Sequence, residues 1–171
     1  MSIIDFQSGK KRLKILILGA YKPSGALERL EKLQNCLIKR GFEMTKLAKD
    51  FPNRQKHSQD LDEHFTIKCR ELMRNWADVS IFVFFKEAEN QGVTIEMAYA
   101  CLKLDDKQSR CAVFFEHKLR DFSSQVTGTI KVTKRISYEV FKSDKELCNL
   151  ASGHSLKILD RLFYYLGQDY V

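Results

Sequence analysis

Residues 89–100, ENQGVTIEMAYA, place a glutamate four residues beyond a glycine, at the opening of a helical pattern. Val93, Met97, Ala100 or Cys101, and Leu104 form an apolar stripe, and Glu96 stands at its edge with Tyr99 three residues on. A carboxylate near a helix start is held ionised by the helix dipole, by about 0.3–1 kcal/mol at exposed sites. An ionised carboxylate in a crevice is what a glycosyl nucleophile needs, because it must meet a developing oxocarbenium ion at an anomeric carbon. The same spacing also suits a charge placed only for the dipole. Tyr99 is positioned to hydrogen-bond Glu96 and tune it.

The elements that would carry this residue follow from hydrophobic pattern. KILILGA (residues 14–20) is a short branched apolar run before Pro23, which predicts a buried strand. SGALERLEKLQNCLIKRG then predicts an amphipathic helix, with Ser24 able to cap it and Gly41 to end it. EMTKLAKDF is a more polar strand, suited to an edge, and FPNRQKHSQD is a polar loop. LDEHFTIKCRELMRNWAD predicts a second helix with Phe65, Cys69, Leu72, Met73 and Trp76 inward. VSIFVFF is the most apolar strand and belongs at the centre of a sheet, covered on both faces. RCAVFFEH and ISYEVF read as two further strands, KLRDFSSQVTGT as a loop, and residues 145–166 as a closing helix broken near Gly153. MSIIDFQSGKKRLK has its basic residues after its apolar ones, the reverse of a secretory signal, and reads as an arm over residues 1–12.

Strand and helix alternate about five times, without repeat or linker. That predicts one α/β domain over residues 13–171, a doubly wound parallel sheet of flavodoxin-like order 2-1-3-4-5. In such a sheet ligands bind beyond the carboxyl ends of the strands, where the winding reverses, here between the first and third strands. The loops facing that point are AYKPSG and KEAENQG. From the first, Ala20, Tyr21, Lys22, Ser24 and Gly25 are candidates for binding; Lys22, Ser24 and Gly25 offer a cation, a hydroxyl and a backbone N–H at a helix start. A proline turn with a serine cap explains the same residues. Tyr21 can stack on a base or pack the crevice wall. The loop has neither P-loop nor dinucleotide-fingerprint spacing, and Asp78 reads as a cap or turn residue.

GVTIEMAYA resembles the G-T-x-x-E-x-G/A-x-A segment of the nucleoside 2-deoxyribosyltransferase-like family, and the preceding order of elements is similar over about the first 105 residues. The resemblance implies a flavodoxin-like core that cleaves N-glycosidic bonds of nucleosides or nucleotides, by transfer or by hydrolysis. It implies that Glu96 is the nucleophile, that Gly92 opens the helix, and that the crevice is completed in a homodimer. The family's loop aspartate falls at Asn90, which cannot move a proton, leaving Glu89 or Glu87 to substitute. Its threonine falls at Val93, with Thr94 displaced by one.

The 171 residues are 44% hydrophobic and 30% charged, as in a folded chain, and no apolar run approaches the ~18 residues of a membrane span. The net charge of +7 admits nucleic acid, an acidic membrane or an anionic small molecule, without choosing among them. Only KVTKR is densely basic, and it lacks the aromatic interleaving of a single-strand binder, so it reads as a solvated face or basic loop; the nucleoside or nucleotide ligand, favoured over nucleic acid or membrane, is what the family resemblance implies. Five dispersed cysteines without a CxxC pair read as reduced, buried thiols of a cytoplasmic protein, and four scattered histidines suggest no metal site. No cofactor is implied. Two other readings keep the crevice: a nucleotide-binding module without chemistry, since Asn90 breaks an acid–base pair, and a TIR-type or cytokinin-activating phosphoribohydrolase-like enzyme. The latter would want a G-G-x-x-G-M loop, and a receiver domain would want acids after strand one; residues 19–25 supply neither.

Overall fold

The computed structural model describes residues 3–52, 61–133 and 135–166. Five parallel strands lie in the order β2-β1-β3-β4-β5: β1 (Ile15–Gly19), β2 (Thr45–Leu47), β3 (Val79–Phe84), β4 (Cys111–Glu116) and β5 (Ser137–Phe141). The predicted class and strand order are therefore those observed. Among the described residues six α-helices surround the sheet: α1 (Ile3–Arg12), α2 (Ser24–Lys39), α3 (Leu61–Glu71), α4 (Gln91–Lys103), α5 (Ser124–Val132) and α6 (Asp144–Leu166).

The two-residue period of the strands divides the core cleanly. Ile15 and Ile17 of β1, Val79, Ile81 and Val83 of β3, and Ala112 and Phe114 of β4 face α2 and α6. Leu16, Leu18, Phe82, Phe84, Val113 and Phe115 face α3, α4 and α5. All six side chains of β3 are buried, so the apolar run VSIFVF is central because neither of its faces tolerates water. β2 is the short edge strand that its polarity predicted.

Several local readings differ from the structure. The amino-terminal arm is the helix α1, which packs on α6: a Cβ at Gly9 would collide with the Phe163 ring, and Phe6 lies 6.5 Å from that ring. The stretch read as a loop contains α5, capped by Ser123 Oγ accepting the Val126 N–H. α6 runs unbroken through Gly153, where the missing side chain costs only ~1 kcal/mol against many packing contacts. Pro23 rather than Ser24 occupies the N-cap of α2, whereas Gly41 does end that helix with φ of 93°. α3 continues into a π-helical turn, Leu72–Trp76. Most of the FPNRQKHSQD segment lies outside the described residues.

The cysteine reading also changes. Cys36 of α2 and Cys148 of α6 form a disulfide across 112 residues, while Cys69, Cys101 and Cys111 are free and buried. A compartment argued from five reduced thiols loses its basis. No helix among the described residues is long and apolar enough to cross a membrane.

Closing a loop of 112 residues restricts the unfolded chain, by about 5 kcal/mol on the loop-closure account. The double variant Cys36→Ser/Cys148→Ser should therefore unfold at lower urea than the oxidised chain with a native-like circular dichroism spectrum. Coincident urea curves would show that the bridge adds no stability.

Candidate functional site

The winding reverses between β1 and β3, because β1 pairs with β2 on one edge and β3 on the other. Beyond their carboxyl ends the two predicted loops touch: the Glu89 N–H donates to the Lys22 carbonyl at 3.1 Å. The second loop is tied down by Asn90, whose Nδ2 donates to the carbonyls of Phe85 (2.7 Å) and Ala88 (3.1 Å). The Asn90 carbonyl then accepts the Thr94 Oγ1–H at 2.7 Å as α4 begins. Gly25 and Gly92 are each the second residue of a helix, and a Cβ at either would meet nothing within 4 Å. Neither glycine is demanded by the packing of the chain itself. Both leave open space beside a helix amino end.

Glu96 is the sixth residue of α4 and only 6% exposed. The dipole acts mainly on the first turn, so burial prevails. It pushes the Glu96 carboxyl up to about 7, and a hydrogen bond from the Cys69 thiol of α3 partly offsets that rise. The expectation of a carboxylate held ionised by a helix start is thus corrected: at neutral pH Glu96 is poised between its two states. Tyr21, in the loop after β1, completes the cluster. Its ring meets Phe65 of α3 edge-on at 5.7 Å, and its hydroxyl accepts the Lys49 N–H at 3.4 Å. Burial, together with the nearby Cys69, Glu96 and Asp50, holds the phenol proton on above the ordinary tyrosine value.

The other candidates separate. Tyr99 stands under the guanidinium of Arg70, 5.2 Å from its ring, with Arg74 beyond, while the hydrogen bond to Glu96 comes from Cys69. Val93 and Ala20 are buried in the two core layers, and Lys22, Ser24 and Glu89 are exposed. Asp78 accepts the Lys14 N–H at 3.0 Å, the turn role expected for it.

Two cavities open at this end of the sheet. One of about 350 Å³ lies beside Gly25, Arg29, Phe85, Lys86 and His117. The other, of about 520 Å³, lies between α4 and α5 beside Asn90, Thr94, Ile95 and Phe122. The first is organised by Arg29, which bonds Glu116 (2.9 Å) and Asp144 (2.7 Å) and lies 4.2 Å over the Phe85 ring. Burial alone would raise the Glu116 carboxyl. The hydrogen bonds from Arg29 and the Lys86 N–H outweigh it and hold that carboxyl below its usual value. Arg29 and Cys69 escaped the sequence reading because one looked like a solvated helix charge and the other like a core residue. The signal available was topological: order 2-1-3-4-5 sets α3 beside α4 on one face. Among the described residues no group of three His, Cys, Asp or Glu side chains could hold a metal ion.

No protein-family model matches the chain, and no curated protein matches it in sequence. Among solved structures it is similar to the CMP N-glycosidase BcmB of Clostridium botulinum, with a TM-score of 0.53 and 16% identity over 82% of this chain and 99% of that one. The likeness is one of fold. The flavodoxin-like architecture that the GVTIEMAYA segment implied is shared with a solved N-glycosidase.

The raised Glu96 value has a consequence for stability. A carboxyl that binds its proton more tightly when folded contributes fully below the ordinary value of 4.5, and the contribution is lost as pH rises through about 7. A shift from 4.5 to about 7 corresponds to roughly 3 kcal/mol. Glu96→Gln does not titrate, so its stability relative to the wild type should rise by that order between about pH 4 and pH 8. Urea unfolding at both pH values measures this, and the difference cancels other groups such as buried His154, held down to about 4. A flat difference would mean that Glu96 titrates as it does in the unfolded chain.

Proposed function

We propose that this chain is a nucleoside or nucleotide N-glycosidase with Glu96 as its nucleophile. The observation that carries the reading is a glutamate buried near Tyr21 and Cys69, on the helix that leaves β3, with its carboxyl pushed up by that burial. The fold likeness to a CMP N-glycosidase supports it.

In the proposed reaction an ionised Glu96 oxygen bonds to the anomeric carbon as the N-glycosidic bond breaks and its electron pair leaves with the base. Water then attacks the same carbon, the bond to Glu96 breaks, and a proton is released. A base acting as acceptor in place of water would give transfer. Asn90 does not supply the departing base with a proton: its amide hydrogens are committed to two loop carbonyls. Glu87 and Glu89, exposed in the same loop, or solvent, take that role. Exposed Lys22 beside the amino end of α2, and the free space at Gly25, support a substrate carrying a phosphate. The committed Asn90 also favours a second reading, a nucleotide-binding module that keeps the crevice without the chemistry.

Incubation with ribo- and deoxyribonucleosides, their 5′-monophosphates and NAD, with free base followed by chromatography, separates the two. The enzyme reading expects base release that rises with pH through about 7, as Glu96 deprotonates, and falls at least roughly a thousandfold in Glu96→Gln. Thermal stabilisation by a ligand without release would favour the binding module. Release that survives Glu96→Gln would remove Glu96 from the chemistry.

We further propose that the chain works as a homodimer. Ile67 of α3 and Ile95 and Leu102 of α4, at 42%, 51% and 72% exposure, offer a second copy an apolar surface to cover. Sedimentation velocity should give twice the chain mass, and replacing Leu102 with Glu should return the monomer; a monomer at all concentrations refutes it.

A further inference from the structure

The net charge of +7 and the basic segment KVTKR have no part in the proposed reaction. The fold decides where that charge goes. Every strand is parallel, so α2, α3, α4 and α5 run back against the sheet, and their carboxyl ends gather at its amino-terminal edge, opposite the crevice. α1 ends there too, directly before β1. These ends are basic: Lys10, Lys11 and Arg12 close α1, Lys39 closes α2, Lys103 closes α4, and Lys131 stands in the last turn of α5. The helix dipole favours a cation at each carboxyl end, but it does not bring the ends together. Side chains do. Lys10 Nζ lies 5.1 Å over the ring of Phe42, just past α2. Lys107, beyond α4, donates to the carbonyls of Arg74 (2.8 Å) and Ala77 (3.1 Å) where the π-helical turn ends. Arg135, beyond α5, donates to the Asp105 carbonyl at 3.5 Å.

The acids at this end are fewer and largely engaged. Glu43 pairs with Lys11 at 3.2 Å, Asp78 accepts the Lys14 N–H at 3.0 Å, and Asp105 accepts from Gln108 at 2.9 Å, while Asp106 is exposed. At the crevice end Glu87, Glu89 and Asp121 stand exposed among Lys22, Lys86 and Lys118, so the two charges are mixed there. The basic end also puts apolar side chains into water. Val132, beside Lys131 at the end of α5, is 82% exposed, and Ile38, beside Lys39 at the end of α2, is exposed as well. A single exposed apolar residue is ordinary. Here each one adjoins a lysine in the last turn of its helix.

We propose that this end of the molecule docks on an anionic lipid bilayer. Its lysines and arginines meet the acidic headgroups, and Val132 enters the interface among them. Val132 decides between a membrane and a nucleic acid. A polynucleotide would answer the charge, but its bases hold to aromatic side chains, and KVTKR supplies none. Val132 also lies outside the surface of α3 and α4 offered to a second copy. Docked in this way, the protein turns the carboxyl ends of its strands, and the crevice beyond them, away from the bilayer toward solvent. The inference is independent of the N-glycosidase reading.

The test is sedimentation of the full chain with vesicles of phosphatidylcholine, alone or with added phosphatidylserine, at low and high salt. Binding should require the anionic lipid and fall at least roughly tenfold as salt screens the charges. Lys103→Glu/Lys131→Glu should weaken it by about tenfold or more. Lys142→Glu/Lys145→Glu makes the same change of net charge at the crevice end and should leave binding within about twofold of the wild type. Val132→Asn should weaken binding severalfold and leave its salt dependence as it was. Circular dichroism checks that each variant folds, and Lys131→Gln alone replaces the first pair if that pair does not. No sedimentation with anionic vesicles, equal losses in the two charge-reversed pairs, or indifference to Val132→Asn would each overturn the proposal. A mixed-sequence RNA oligonucleotide bound more tightly than the vesicles, and equally by Val132→Asn, would assign this end to nucleic acid instead.

Discussion

Everything in this molecule is arranged around a strand that cannot touch water. β3 presents six buried side chains, three of them to each layer of helices. At roughly 1.5–3 kcal/mol for each large apolar side chain removed from water, the run commits the fold to a sandwich before any loop is considered. β1 and β4 pair on its two edges over five residues each, so the sheet has no other centre. The chain must leave β3 at its carboxyl end into a loop that meets the loop from β1. The place where ligand chemistry can occur is fixed by the placing of that strand.

The same constraint explains what could be read from sequence. VSIFVF, ILILG and CAVFFE are legible because burial on both faces leaves no polar alternation to confuse them. α2 is legible from Leu30, Leu33 and Leu37, which do fall inward. α1 was not, since IIDFQSGKKR has a weak periodicity and is helical because it lies against Phe163 of α6. α5 was not, since Val126, Thr127, Gly128, Thr129 and Ile130 are poor helix formers. The Ser123 cap was its one local mark.

At the site, residue type was legible and environment was not. Glu96 was singled out by spacing, and the structure buries it as the sixth residue of α4, the helix that follows β3. Its charge state was misjudged because the helix begins at Gln91, which carries Glu96 past the reach of the dipole and under α3. Asn90 looked like a broken acid; in the fold it is the staple of its loop. A pattern along the chain reports which side of a helix faces inward. It does not report which side chain of the next helix is waiting there, and so Cys69 passed as a core residue.

The bridge between Cys36 and Cys148 gives the molecule a topology beyond its fold. Residues 36–148 form a covalent ring that holds β2 through β5, α3, α4 and α5, with Glu96 inside it. β1 lies outside the ring, yet on both edges it is hydrogen-bonded to strands that belong to it. A single backbone cut anywhere within the ring releases no fragment. A protease can nick the loop between β3 and α4 and leave one molecule of undiminished mass, its two ends still joined through sulfur.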